Sequence, residues 1–330
     1  MRILLLCILT IGLVFANIFF GAVDIPASQI WEVLCGGGDE VLSYIVLESR
    51  LPQALTALLA GAGLAASGLL LQTLFRNPLA GPSILGITSG ASLGVALVLL
   101  LFGGVLTVGD ETLGSNLAAT VGALTGSFAV MLLLTVMSAR IRNNLTLLII
   151  GMMVGYMASS LVTLLSSIST AQNIQSYVVW GMGTFANVPM QRLPFFGGLM
   201  LAGLVMAMLL AKPLNLLLLG DNYAANLGVN VNRTRNLLLT ATGVLAAIVT
   251  AFCGPIGFIG LAMPHIARLI FRTDDHFILL PATMLCGAIL ALICNLLSIL
   301  PHGIVIPINA LTPIAGVPVV LYVILKGRKK

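Results

Sequence analysis

Apolar runs broken at near-regular intervals by short polar clusters set the pattern of this chain. A membrane-crossing helix needs about 20 mostly apolar residues. That window gives ten stretches: 3–20, 53–74, 83–103, 117–138, 145–167, 192–211, 236–253, 256–271, 277–299 and 306–325. The expected fold is therefore all-α, a polytopic membrane protein with ten transmembrane helices forming one domain over 1–330. The eighth stretch is short, and Gly254, Pro255, Gly257 and Gly260 interrupt its start. The first run, Ile3 to Phe20, covers 18 residues. It is longer than the core of a secretory signal (about 7–15 residues) and reads as a retained span.

The polar pieces between the runs are unequal. Lys212–Arg235 is punctuated like structure rather than like a plain connection. Pro213 suits a first helical position, Gly220 the residue past a helix end, and Asp221 the cap of a second helix that Gly228 closes. Two short helices over about 213–228 predict a docking surface. On the other side, 171–180 is compatible with a short surface helix closed by Gly181 and Gly183. It reads equally as a gate or as an amphipathic connector resting on headgroups. Within the runs, Gly86, Gly90 and Gly94, and likewise Gly151, Gly155 and Ser159, recur every four residues, the spacing of close helix packing. A weak similarity between Leu55–Gly68 and Leu239–Ala251 hints at two related halves.

Composition agrees with the pattern: 59% of residues are hydrophobic and 8% charged, against about a quarter charged in soluble domains. Basic residues set the orientation. With the N-terminus inside, thirteen Lys and Arg fall on the inner side, and only Arg50 and Arg192 fall outside. Both termini are therefore expected to be cytoplasmic. The net charge of +5 follows from this placement and calls for no nucleic-acid partner. The five cysteines lack C-x-x-C spacing, so neither a metal cage nor a structural disulfide is expected.

The chemistry that is missing narrows the function. There is no G-x-x-x-x-G-K-[ST], H-E-x-x-H or G-x-S-x-G motif, so the chain has no P-loop for ATP and no recognisable catalytic group. The spans carry no Asp, Glu, Lys or Arg away from the interfaces, whereas ion-coupled transporters place such groups at depth. A passive conduit powered by a docked partner fits. An ATP-independent secondary transporter or channel is the alternative.

Motifs spread along most of the chain then converge. They are Glu48-Ser-Arg-Leu-Pro52, Phe75-Arg-Asn-Pro-Leu-Ala80 with Pro82, Leu85-Gly-Ile87, Trp180-Gly-Met-Gly183, Leu219-Gly220 with Leu227-Gly-Val229, and Gly257-Phe-Ile-Gly-Leu261 with Pro264-His265 and Arg268. Together they resemble the FecCD-type permeases, the membrane subunits of type II ABC importers for iron–siderophore complexes, haem and cobalamin. The resemblance implies a homodimer of ten-span subunits in the cytoplasmic membrane of a bacterium. It implies two ATPase subunits that bind ATP and Mg2+ and grip the short helices, and a substrate-binding protein on the outer face. For this chain it implies ATPase contact at Leu214, Leu219, Gly220, Asp221, Leu227 and Gly228. Arg50 would anchor the binding protein, beside Gln53, which stands where the family often has a second arginine. The path would be lined by 145–167, 171–180 and 307–325, with Gly151, Gly155, Ser159, Gln172, Asn173, Asn309 and Thr312 as the named residues. His265 and Arg268 are expected to support the fold, and His302 is the histidine on the outer side.

Overall fold

The structure is a computed structural model that describes residues 1–104, 106–108, 111–141, 143–299 and 305–327. His302 and four of the counted cations, Arg142, Arg328, Lys329 and Lys330, lie outside the described residues. The helices in chain order are α1 (Arg2–Phe19), α2 (Ala27–Leu34), α3 (Glu40–Ser43), α4 (Leu51–Phe75), α5 (Ile87–Ala96), α6 (Ser115–Arg140), α7 (Asn144–Ser167) and α8 (Ala171–Gly181). Then follow α9 (Leu193–Leu209), α10 (Ala211–Leu218), α11 (Asp221–Asn226), α12 (Val231–Cys253), α13 (Ile259–Phe271), α14 (His276–Ile299) and α15 (Ile308–Gly327). Wider π-type turns over Tyr44–Arg50 lead into α4, and others over Leu97–Leu101 extend α5. One small departure from an all-α fold exists: Leu106–Val108 and Glu111–Leu113 pair as an antiparallel ribbon, β1 and β2.

Each predicted stretch contains one apolar helix. Among the described residues six are long and apolar enough to cross a membrane, and α9 with α10, bent by 43°, makes a seventh. The other three, Ile87–Leu101, Ile259–Phe271 and Ile308–Tyr322, are shorter. At 1.5 Å per residue the first two span about 20 Å, less than the hydrocarbon core of about 30 Å, whereas the whole of α15, 20 residues, spans about 30 Å. The windows predicted from residues 83 and 256 therefore overstate the helix, because Gly81–Gly86 and Gly254–Phe258 precede α5 and α13 as irregular backbone.

Helix α4 is the hub. It is apolar and small-residued all round, so it can be buried on every side, and it packs against α9, α12, α13 and α14. Two crossings are too close for side chains. A Cβ on Gly61 would sit 2.3 Å from the Gly287 carbonyl oxygen, and one on Gly68 1.7 Å from that of Gly260. The packing also repeats. α4 lies on α14 as α12 lies on α6, while α5 packs against α6 and α7 as α13 packs against α14 and α15. The similar stretches 55–68 and 239–251 fall in the equivalent helices α4 and α12. Beyond the end of α1, Ile18, Ile25, Ile30, Val33 and Val46 form a separate small core around α2.

Candidate functional site

The punctuation of 212–235 folds much as predicted. Gly220 (φ 109°) and Gly228 (φ 87°) follow α10 and α11 in a backbone region that glycine occupies without strain. Two details differ. Pro213 is the third residue of α10, within its first turn, and Asp221 opens α11 without capping it, since its carboxylate is taken by Arg76. The helical register then sorts the leucines. Leu214 and Leu217 face the core while Leu218, Leu219, Tyr223 and Leu227 are exposed. Leu214 is thus corrected from a contact residue to a core residue, whereas Leu219 and Leu227 stand on the open face.

Behind this face the block is tied to the helix ends beneath it. Asn215 Nδ2 donates to Asp275 Oδ1 (2.6 Å), and Asn215 Oδ1 accepts from the His276 backbone N–H (2.8 Å) and lies 2.7 Å from His276 Nδ1. An amide oxygen can only accept, so the ring carries its proton on Nδ1 and turns Nε2 to the Thr73 hydroxyl, 2.8 Å away. Arg76 Nη2 reaches Asp221 Oδ1 at 2.5 Å and the Leu217 carbonyl at 3.4 Å. One turn back, Gln72 donates to the Leu261 carbonyl and accepts from Arg268 Nη1 (2.8 Å). His265 Nε2 meets the Pro78 carbonyl at 2.8 Å, so His265 and Arg268 brace the fold as expected.

The start of α4 corrects the sequence reading most. Arg50 is only 6% exposed, and its guanidinium donates to the carbonyls of Ile18 (3.0 Å), Phe19 (3.0 Å) and Val23 (2.5 Å). The last carbonyls of a helix lack intrahelical donors and carry partial negative charge, which a buried arginine satisfies. It is therefore not an anchor for a docked protein. Gln53 also turns inward. Its Nε2 donates to Asn295 Oδ1 (3.0 Å), Asn295 Nδ2 donates to Asn17 Oδ1 (2.8 Å), and Asn17 donates to the Leu292 carbonyl (3.2 Å). This polar chain joins α1, α4 and α14.

The implied lining residues separate into two groups. Gly151 is buried, and a Cβ on it would lie 3.0 Å from Leu85 Cα just before α5, so it serves packing rather than a path. Gly155 is half-buried, with Ser89 Oγ of α5 3.3 Å from where its Cβ would be. Thr312 is fully buried, with its hydroxyl on the Ile308 carbonyl, and is likewise corrected. Ser159 stands on the exposed face of α7 with Tyr156 and Met157. Gln172 is exposed and Asn173 half-buried on α8, whose start is capped by the Thr170 side chain. Asn309 is exposed and ties α15 to the end of α8 through the Gly181 carbonyl (3.3 Å) and the Met182 carbonyl (3.1 Å).

The sequence profile of the FecCD transport family matches residues 8–326. The chain belongs to this family. It is 35% identical to the hemin transport system permease protein HmuU of Yersinia pestis, over 98% of this chain and 95% of that one. It is 37% identical to the vitamin B12 import system permease protein BtuC of Klebsiella pneumoniae subsp. pneumoniae, over 86% and 83%. A solved structure described as a metal-chelate type ABC transporter in an inward-facing conformation superposes with a TM-score of 0.86 at 33% identity, covering 98% of this chain and 99% of that one. PsaBC from Streptococcus pneumoniae, solved with a Fab, shares the fold at a TM-score of 0.51 and 15% identity, over 86% and 94%.

In this FecCD-family chain the sequence reading missed where the two irregular leaders meet. Pro82, Ser83 and Thr88 before and within α5 face Ile256 and Phe258 before α13 across a cavity of about 350 Å³ that Leu64 of α4 also lines. Phe258 holds φ 64°, a strained value for a bulky side chain, and abuts Gly316 of α15. The signal was the Gly and Pro content of both leaders. It marked breaks without showing that the breaks face each other. A second cavity of about 350 Å³ lies between α6 and α8 and is lined by Asn116, Gln175, Trp180 and Asn187.

Proposed function

We propose that this chain is the permease subunit of an ATP-driven importer that carries a metal chelate (an iron–siderophore, haem or cobalamin complex) across the cytoplasmic membrane of a bacterium. In this reading all ten apolar helices cross, both termini are cytoplasmic, and α10–α11 lies inside. Two copies face each other through α7, α8 and α15, with Ser159, Gln172, Asn173 and Asn309 beside the path and α8 as the outer gate. Two ATPase subunits, which bind ATP and Mg2+, grip α10–α11, and an extracytoplasmic binding protein delivers the chelate. The chain itself makes and breaks no covalent bond.

The observation that carries the reading is the two-sided character of α10–α11. Four large apolar side chains, Leu218, Leu219, Tyr223 and Leu227, are exposed on a block whose other side is buried and hydrogen-bonded. An exposed apolar cluster rimmed by polar residues marks an interaction surface. The names of the relatives, haemin for one and vitamin B12 for another, supply the substrate class.

The test is uptake into proteoliposomes containing the chain with its co-purified ATPase and binding protein, offered haemin, cyanocobalamin and a ferric hydroxamate in turn. Accumulation that requires MgATP is expected. Accumulation without ATP, driven by a proton or sodium gradient, would overturn the reading in favour of a secondary transporter. Leu219→Asp is expected to abolish ATPase association while membrane insertion persists, because a charge cannot be buried unpaired in an apolar contact.

A further inference from the structure

A block that receives force is useful only if its own joints do not absorb it. The covalent joints of α10–α11 are compliant: a 43° bend from α9 on one side, and the positive-φ residues Gly220 and Gly228 within and after it. Load applied to the exposed leucines must therefore pass through non-covalent ties. Polar ties from α10 and α11 converge on one place, the last turn of α4. Asn215 of α10 reaches Thr73 through His276, and α11 reaches Arg76 through Asp221. The same turn presents Gln72 to Leu261 and Arg268 of α13, and the residues just beyond it present the Pro78 carbonyl to His265. The start of α13 in turn abuts α15 at Gly316, where a Cβ would lie 3.0 Å from that of Phe258.

We infer that Asn215, Thr73 and Arg76 are positioning residues that pass a displacement of α10–α11 to the inner end of α4, and through it to α13 and α15 beside the path. The inference rests on the proposed function, since it presumes that an ATPase moves α10–α11. Asn215 is the first link. It binds Asp275 and His276 at once, so α10 cannot turn without carrying the start of α14 and the Thr73 hydroxyl with it. Arg76 is the second. It sits at the left-handed end of α4 (φ 47°), where it spans Leu217 of α10 and Asp221 of α11. A contiguous chain of packed and hydrogen-bonded groups is a physical route for coupling, and measured coupling is what establishes it.

The experiment compares wild type with Asn215→Ala, Thr73→Val and Arg76→Asn in the full complex. The probe is whichever of haemin, cyanocobalamin and a ferric hydroxamate the wild type accumulates. ATP hydrolysis and uptake are measured on the same proteoliposomes. Thr73→Val keeps the side-chain shape, and asparagine suits the left-handed position of Arg76. Hydrolysis within about twofold of wild type with uptake per ATP reduced about tenfold in the Asn215→Ala/Arg76→Asn double variant is expected, the size of an ordinary coupling energy. Asn215→Ala and Thr73→Val share one route, so their combination should cost no more than the worse single change. Uptake per ATP equal to wild type in all variants, whether or not stability falls, would overturn the inference and leave the importer reading standing. Uptake by wild type without ATP would overturn both.

Discussion

Helix α4 carries an arginine at each end, and the two are held in opposite ways. Arg50, at the end that the proposed orientation places outside, is 6% exposed and donates to two carbonyls at the end of α1 and to that of Val23 in the loop beyond it. Arg76, at the inner end, has a side chain 53% exposed and pairs with Asp221, itself 42% exposed. A buried arginine on backbone carbonyls is fixed, because no solvent replaces those bonds if it leaves. An exposed ion pair is exchangeable, since water and salt compete for both partners. One end of the hub is welded and the other is tied. That is the arrangement a lever needs if it is moved from the cytoplasmic side about an outer pivot.

The weld is the place to break the comparison hardest. Arg50→Ala is expected to lower stability by about 3 kcal/mol, because three carbonyls, that of Ile18 fully buried, lose a charged donor. The fall would be read as a loss of unfolding midpoint in detergent, and Arg50→Lys should recover less than half, as an ammonium lacks the fork that reaches all three. A loss close to zero would remove the weld from the account. Asn295→Ala probes the adjoining polar chain and should cost about 1 kcal/mol, the scale of hydrogen bonds between membrane helices. Neither change should alter uptake per ATP, since both act at the fixed end.

The tie should behave differently. Arg76→Asn is expected to change stability by less than about 0.5 kcal/mol, and by less still in high salt, as for any exposed pair. A large, salt-independent loss would make the inner end a second weld and would erase the contrast. The stability effect is small at the residue where the coupling effect is expected to be large. That separation keeps a positioning role distinct from a structural one.

The sequence already showed the apolar helices, the short helices and their terminating glycines, because apolar length and backbone-specific residues leave local traces. Arg50 was misread because its partners are backbone carbonyls of 18, 19 and 23, which have no side-chain signature. Leu214 and Leu219 are the same residue in one short segment, and only the seating of α10 on α14 and α4 decides that one is core and the other surface. Gly151 has the spacing of a packing residue and an implied place on the path, and only the position of the turn before α5 resolves the two readings. The Asn215–His276–Thr73 link joins residues far apart in the chain, and none of the three is unusual in its own segment.

The smallest predicted effect refines the inner tie. Asp275, part-buried just before α14, has its carboxyl held below the usual range, first by the Asn215 amide and next by the Phe277 backbone N–H. A folded-state value below the unfolded one, about 3.9, means the stabilisation is complete above that pH and is lost as pH falls through the folded value. The unfolding midpoint of the wild type should therefore drop between about pH 5 and pH 3 by slightly more than that of Asn215→Ala, which has already lost the main donor. Equal drops would show that the amide does not distinguish the charged carboxylate from the neutral acid. The Asn215 link would then be steric, its strength set by packing of α10 on α14, and acid would not loosen it. A larger drop in the wild type makes the link electrostatic, so that both ties at the inner end of α4 respond to solvent conditions while the outer arginine, bonded only to neutral carbonyls in the contacts described, does not.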